Sequence, residues 1–410
     1  MQGLSGQAQA KRRANIEPMS SIAVPGVPRR APAPRGPRAR IRIRRVLVTA
    51  ALIVLLPAAI SYLSTLGGAS NSSLGIRSVE WLRDHGAAGL VSKVESWYYT
   101  LTAPAKGGPA LRALPRVGLS GPQGPNGRGG SRTEVVDRPQ RIAPLTARAL
   151  PGEGVWSGTL EHEVRNDPPL LVTTFRSDPS EYPRLVAGVA WINTSNTEVA
   201  LLAGRLEPSV ELPHRGPMDV PSSMRGRLLA TFNSGFKLSD ARGGWALDGH
   251  AYAPMREGMA TFVRYADGHY DVIAWHGGSD VPANVVFARQ NLPLIVSNSL
   301  SSPALSNSSE WGATVGNAVE VWRSGLGIDA HGNLIYAAAN DQTVGSLAKI
   351  LRHAGAVRAM ELDINSYWIS FNTYAAPGAM RPAKLLSETE RPAGRYLTPD
   401  DRDFFAVYSR

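Results

Sequence analysis

Residues 357–365, VRAMELDIN, near the C-terminal end, decide how this chain is read. Val357, Ala359 and Met360 lead into a strand. Side chains alternate along a strand, so Glu361 and Asp363 are expected on one face, with Asn365 beyond them if the strand continues. Two carboxylates and an amide at the end of an apolar strand are costly to bury, which makes them the first candidates for chemistry. The plain alternative is a strand end with solvated acids. Just upstream, TVGSLAKILRHA (343–354) sets Leu347, Ile350, Leu351 and Ala354 at helical spacing, with Gly355 as the stop.

Working outward, the first two-thirds of the region 151–410 reads as strands: 170–177, 184–194, 199–207, 227–236, 260–277 and 285–297. Asp267-Gly268 marks a hairpin turn. GLGIDAHGNLIYAAA (325–339) reads as another hairpin, turning at Asp329 to Asn333. The expected fold is α+β, a β-rich mixed-sheet domain with few helices.

The N-terminal part is different in kind. Residues 1–45 carry eleven Lys and Arg against Glu17 alone, so they hold +10 of the net charge of +11 and leave +1 for the other 365 residues. The body of the protein has no basic footprint for a polyanion, and no nucleic-acid partner is expected. Residues 1–45 are Pro-, Ala-, Gly- and Arg-rich and are expected to form a disordered cytoplasmic tail. VLVTAALIVLLPAAISYLSTL (46–66) has 21 residues without a charge. That is the length of a transmembrane helix. The arginines before it orient the N-terminus to the cytoplasm and export the rest. The rivals are a cleaved signal ending near Gly68-Ala69-Ser70, or a buried helix of a soluble protein.

From 67 to 150 a juxtamembrane helix and a Pro/Gly-rich linker are expected. Val79, Leu82, Leu90, Val94, Trp97, Tyr98 and Leu101 fall near helical spacing over 77–101. Such a helix lies either on the outer membrane surface or against the main domain. The linker reads as a flexible stalk. The chain has no cysteine, which excludes disulfides and thiolate metal sites.

Several polar residues interrupt or end apolar strands. Asn233 closes the run ATFNSGFK, where Ser234 and Gly235 let a ligand approach the backbone. The loop 242–254 holds Asp248, His250 and Tyr252 beside three glycines. Arg323 is a cation borne on a strand. Each also has a bland reading: Asn233 as a turn former, His250 as a surface or core histidine, Arg323 as the partner of a structural acid. No phosphate-binding Gly/Lys loop, HExxH, GxSxG or cysteine nucleophile is present. The histidines never take metal-ligand spacing, and neither a metal nor a cofactor is expected.

These segments, in this order, resemble the phosphodiester glycosidase family, relatives of the enzyme that uncovers mannose 6-phosphate by removing N-acetylglucosamine. The family's Asn-x-Gly-Phe segment is matched by Asn233, Ser234, Gly235 and Phe236. Its Arg, small residue and x-Gly step into a hairpin are matched by Arg323, Ser324, Gly325, Leu326 and Gly327, with the turn at His331-Gly332. Its Ala-x-x-Leu-Asp segment is matched by Ala359, Leu362 and Asp363. The resemblance covers 225 to 375. Where many members continue Leu-Asp with a glycine-rich turn, this chain has Ile364-Asn365-Ser366-Tyr367-Trp368, as in a membrane-anchored bacterial-type branch.

The resemblance implies a membrane-anchored extracytoplasmic hydrolase cleaving a sugar-1-phosphodiester in an envelope glycan. Phosphate leaves readily, so the site needs a cation for it and a carboxylate for the oxocarbenium-like centre or the attacking water. Asp363 is the expected essential carboxylate, with Glu361 or Asp248 as its partner. Arg323 suits a bidentate phosphate contact. Asn233 and Asn365 would orient hydroxyls or water, Gly235 and His250 would line the substrate, and Trp368, Tyr367 and Trp245 would stack on sugar faces. The alternatives are a non-catalytic envelope glycan-binding or scaffold domain of the same fold and a glycan phosphotransferase. The expected partners are membrane lipid through one helix and a glycan or sugar phosphate.

Overall fold

The computed structural model describes residues 37–102, 106–115, 117, 138–159, 167–306, 311, 320–375 and 377–410. Of the expected basic tail, residues 1–36 lie outside the described residues, as do 103–105, 116 and 118–137 of the expected linker. The chain falls into two units, Met1–Ser61 and Tyr62–Arg410.

The described part of the first unit is helical and belongs to α1 (Pro37–Gly67). The helix starts earlier than the sequence suggested and takes in Arg38 to Arg45. Proline is suited to a first helical position, and arginine is a good helix former. Ile41–Gly67 is long and apolar enough to cross a membrane. A signal anchor, a span and a signal peptide share that description.

The second unit begins with α2 (Leu74–Leu82) and α3 (Ala88–Thr102), separated by a kink at His85 and Gly86. Ser73 caps α2, its hydroxyl accepting from the Ile76 N–H. Strands follow in chain order: β1 (Ser157–Gly158), β2 (Leu170–Asp178), β3 (Tyr182–Ile192), β4 (Thr197–Leu202) and β5 (Leu228–Asn233). After the short α4 (Leu238–Ala241) come β6 (Trp245–Leu247), β7 (His250–Ala253), β8 (Ala260–Tyr265) and β9 (Tyr270–Ala274). Next are β10 (Val285–Gln290), β11 (Leu294–Ser297), β12 (Leu300–Ser301), β13 (Val321–Ile328) and β14 (Leu334–Gln342). Helix α5 (Val344–His353) leads to β15 (Arg358–Glu361), β16 (Phe371–Tyr374), β17 (Pro382–Lys384) and β18 (Phe404–Ser409).

Among the described residues these strands make three sheets, of order β1-β2-β3-β14-β13-β15-β11-β12, β7-β6-β10-β8-β9 and β17-β16-β5-β18-β4. The expected β-rich domain with few helices is present, but its sheets are not mixed in direction. Every pairing among the described residues is antiparallel. The physical reason lies at the crossover: α5 carries the chain from β14 back past β13, so β15 lands antiparallel to β13 rather than beside β14.

The large sheet is apolar on both faces. Leu170, Val172, Ala190 and Ile192 face a core shared with Phe232, Phe371 and Phe405 of one small sheet and Phe262 and Phe287 of the other. Their neighbours Leu171, Val189 and Trp191 face the opposite way, onto Leu347, Ile350 and Leu351 of α5. The period-two alternation therefore holds strictly, with both phases buried. Thr343 caps α5 by accepting from Ser346 N at 3.0 Å, and Gly355 ends it at φ 105°. The helix needs a flat bed, which β13 supplies: a Cβ on Gly325 would stand 2.8 Å from Leu351 Cδ1.

Parts of the expected linker lie on the domain. Ile142 is buried in the core beneath α5, and Gly107 N donates to Glu181 O at 2.8 Å.

Candidate active site

Glu361 and Asp363 have different surroundings. Directly opposed residues of an antiparallel pair point to the same face, and Glu361 opposes Gly325 on β13. Glu361 therefore faces α5, as Gly325 does. It is fully buried, and its Oε1 accepts from Arg323 Nη1 at 2.5 Å. Arg323 also donates through Nε to Gln342 O at 2.7 Å and through Nη1 to Trp311 O at 3.4 Å. Glu361 Oε2 has no hydrogen-bond partner among the described residues. Burial pushes the Glu361 carboxyl up to about 7, the Arg323 guanidinium pulling against it.

Strand β15 stops at Glu361, so the expected common face is lost. The chain turns, and the Asp363 carboxylate accepts from Arg402 Nη2 at 3.1 Å and from Asn365 N at 2.9 Å. Burial raises the Asp363 carboxyl above its ordinary value, opposed by Arg402 and by the Asn365 and Ile364 N–H groups. Arg402 Nη2 also donates to Gly235 O at 3.1 Å, which joins Asp363 to the end of β5.

Ser324, the residue after Arg323, lies on the other face of β13 and is the point of convergence. Its Oγ accepts from Asn233 Nδ2 at 3.1 Å and from Asp363 N at 3.1 Å. Asn233 Oδ1 accepts from Tyr336 Oη at 2.9 Å and from Ser370 N at 3.1 Å. Both ends of the Asn233 amide are thus used inside the protein, as a clamp between two sheets. Ser234 Oγ is buried without a partner among the described residues. A side chain at Gly235 would be crowded by its neighbour. A Cβ there would meet Asn291 Cγ at 3.0 Å, and Asn291 Nδ2 donates to Glu361 O and Leu362 O at 2.7 Å each.

The Ile-Asn-Ser-Tyr-Trp variant forms a turn closed by Asn365, whose Oδ1 accepts from Tyr367 N at 3.0 Å and whose carbonyl accepts from Trp368 N at 2.9 Å. The turn buries Trp368, and three guanidinium groups surround its ring: Arg402 at 5.0 Å, Arg395 at 5.2 Å and Arg391 at 5.7 Å. Trp368 is therefore a platform for cations and not a stacking surface for sugar. Trp245 is also withdrawn, fully buried with its indole donating to Asp403 Oδ2 at 3.2 Å. Tyr367 is buried as well, and its hydroxyl accepts from Ser73 N at 2.9 Å.

Sequence reasoning passed over the segment 391–403, RPAGRYLTPDDRD, which supplies most of the charge here. Arg391, Arg395, Asp400, Asp401, Arg402 and Asp403 are all buried. Asp400 accepts from Arg395 Nε at 2.7 Å and Nη2 at 2.9 Å, a bidentate pair. Burial works to raise the Asp400 carboxyl, but Arg395 and Arg391 outweigh it and hold it down to about 2. Arg391 Nη1 has no hydrogen-bond partner among the described residues. The signal that could have located the segment was an unusual density of both charge signs directly before the apolar strand FFAVYS, at the end of a sheet.

The residues just before α2 reach the same charges. Ser70 Oγ and Ser72 Oγ donate to Asp401 Oδ2 at 2.5 and 2.6 Å, and Asn71 Nδ2 donates to Asp400 Oδ2 at 2.8 Å. On α2, Glu80 pairs with Lys237 and adds to the field that raises Arg402, although burial works to lower it.

Asp248 and His250 stay outside this cluster. Both are exposed on the β6–β7 hairpin, where Asp248 N donates to Val286 O at 2.8 Å and the His250 ring meets Tyr252 edge-on at 4.7 Å. Of the expected site, then, Asn233, Gly235, Asp363 and Asn365 come together, and Arg323 with Glu361 forms a separate buried pair across the sheet. Among the described residues, no three His, Asp or Glu groups gather in a way that could hold a metal ion.

Neither a family model nor a curated protein matches this chain. Solved structures do show likeness. One is the zebrafish N-acetylglucosamine-1-phosphodiester alpha-N-acetylglucosaminidase catalytic domain, auto-inhibited by its pro-peptide. It is 17% identical, with a TM-score of 0.40, over 62% of this chain and 87% of that one. Another is a hypothetical protein from Synechocystis, 12% identical with a TM-score of 0.33, over 55% of this chain and 59% of that one. Likeness at this level carries no argument about this chain's activity.

Proposed function

We propose that the second unit is an extracytoplasmic hydrolase, anchored by α1, that cleaves the glycosidic bond between a sugar and a phosphodiester in an envelope glycan. The observation that carries the reading is the convergence of three distant segments on Ser324. Asn233 and Asp363 both bond its hydroxyl, and Arg402 ties Asp363 to Gly235. A carboxylate held beside guanidinium groups is what the chemistry needs.

In this reading Asp363 accepts the proton of the attacking water as oxygen bonds the anomeric carbon. The carbon–oxygen bond to phosphate breaks, and the phosphate ester departs with the bonding pair. Arg391, through its unpartnered Nη1, and Arg402 neutralise that leaving charge, the part first expected of Arg323. Ser234 Oγ is the hydroxyl with capacity for a sugar oxygen.

A second reading is favoured by burial: Asp363 is only 3% exposed and the Asn233 amide is fully engaged internally. In that case the domain binds glycan without turnover. The full chain in detergent micelles, given a panel of sugar-1-phosphodiesters, separates the two. The hydrolase reading expects free sugar, and a fall of at least about 100-fold in kcat for Asp363→Asn. Binding of the panel with no sugar released by the wild type would support the second reading and end the first.

A further inference from the structure

Helix α3 carries Leu90, Val94, Trp97 and Leu101 at successive steps of four, three and four residues. At 3.6 residues per turn these four lie within about 60° of one another, along about 16 Å of helix. The stripe should be the helix's buried face, yet the four are 65%, 57%, 67% and 65% exposed. Among the described side chains of α3, Val91 is the buried one. A contiguous apolar stripe left open on a folded domain marks a surface meant for something else.

The connection to α1 says what that is. Helix α2 is bonded to the last turns of the apolar helix. Tyr62 Oη and Ser78 Oγ are 2.8 Å apart, Arg77 Nη2 donates to Gly68 O at 2.7 Å and to Thr65 O, and the Tyr62 and Trp81 rings meet at 5.1 Å. α3 follows α2 after the kink, so it begins within a short stretch of the point where α1 ends. Trp97 in the stripe is a residue type that favours the lipid–water boundary, and the exposed Lys93 beside it can reach headgroups over its own apolar stem.

We propose that α3 lies on the phospholipid surface with this stripe in the headgroup–acyl boundary, a second membrane contact that holds the folded unit against the bilayer. The inference rests on the reading of α1 as a span.

The absence of native cysteine makes the test direct. Single cysteines at Leu90, Val94, Trp97 and Leu101 in the full chain would carry a nitroxide, in nanodiscs of mixed phosphatidylcholine and phosphatidylglycerol. Ala51→Cys in α1 reports the span, and His331→Cys in an exposed turn reports water. The expected result is an oxygen-to-nickel collision ratio at the four stripe positions severalfold above that at 331. A lipid-like ratio at 51 with water-like ratios along the stripe would overturn the surface contact and leave the span standing. A water-like ratio at 51 would overturn both. Exclusion of both reagents from the stripe, with spin–spin broadening between copies, would give the face to a second copy of the chain and overturn the lipid contact.

Discussion

Glu361→Gln is the substitution whose consequence follows most directly from the structure. Burial moves the Glu361 carboxyl from its ordinary 4.5 to about 7. A raised folded-state value means that the folded protein holds the proton more tightly than the unfolded chain. The corresponding stability is fully present below pH 4.5 and is lost as pH rises through 7. The displacement corresponds to about 3 kcal/mol. Glutamine cannot titrate, so the variant does not undergo this loss. It pays its own cost, because the buried Arg323 guanidinium exchanges a carboxylate oxygen for a neutral amide oxygen beside the Gln342 and Trp311 carbonyls. That cost is nearly independent of pH. The destabilisation caused by Glu361→Gln should therefore shrink by about 2–3 kcal/mol between pH 5 and pH 8. Urea unfolding of the full chain in micelles, followed by tryptophan fluorescence at each pH, measures it; the chain has nine tryptophans. A cost that grew with pH would refute the reasoning, since it would mean that the ionised Glu361–Arg323 pair stabilises the fold outright.

Two other substitutions follow from the same geometry. Asp400→Asn removes a carboxyl held down from 3.8 to about 2, whose contribution of about 2 kcal/mol is present at neutral pH and is lost as pH falls through 2. The variant's cost, read from urea midpoints, should accordingly diminish between pH 5 and pH 2. Gly235→Ala forces the new methyl against Asn291 and its bonds to the Glu361 and Leu362 carbonyls. It should cost about 1–3 kcal/mol, and Asn291→Ala in the same background should recover part of the loss in a double-mutant cycle.

Much of the fold was legible from apolar periodicity and turn residues, although the apolar strand β18 was not read. The 343–354 helix, the hairpin at Asp267-Gly268 and the hairpin that turns at Asp329 to Asn333 appear as α5, β8–β9 and β13–β14. Strand direction was not legible, because it is set by where α5 lets β15 dock. The short strands β6, β7, β16 and β17 were also missed. Each has three or four residues, too few for alternation to be distinguished from a loop.

At the candidate site, the sequence named residues that do converge, while Arg323 takes its bland reading, the partner of a buried acid. The alternation rule was sound as far as β15 runs; it failed at the one position where the strand ends. Past Glu361 the backbone bends toward Ser324, and Asp363 exchanges the face of Arg323 for that of Arg402. Nothing in local sequence marks that bend, since Leu362 and Ile364 are as suited to a strand as the residues before them. The cations were hidden for a related reason. Arg391, Arg395 and Arg402 sit among Pro, Gly and Asp, a composition that reads as a solvated loop. What buries them is the Asn365 turn: it presents Trp368 as a flat apolar face on which three guanidinium groups can be desolvated, with Asp400 and Asp363 as counter-charges. A glycine turn at 364–366 leaves that platform unspecified. The 364–368 turn and the arginine cluster are therefore one structural feature.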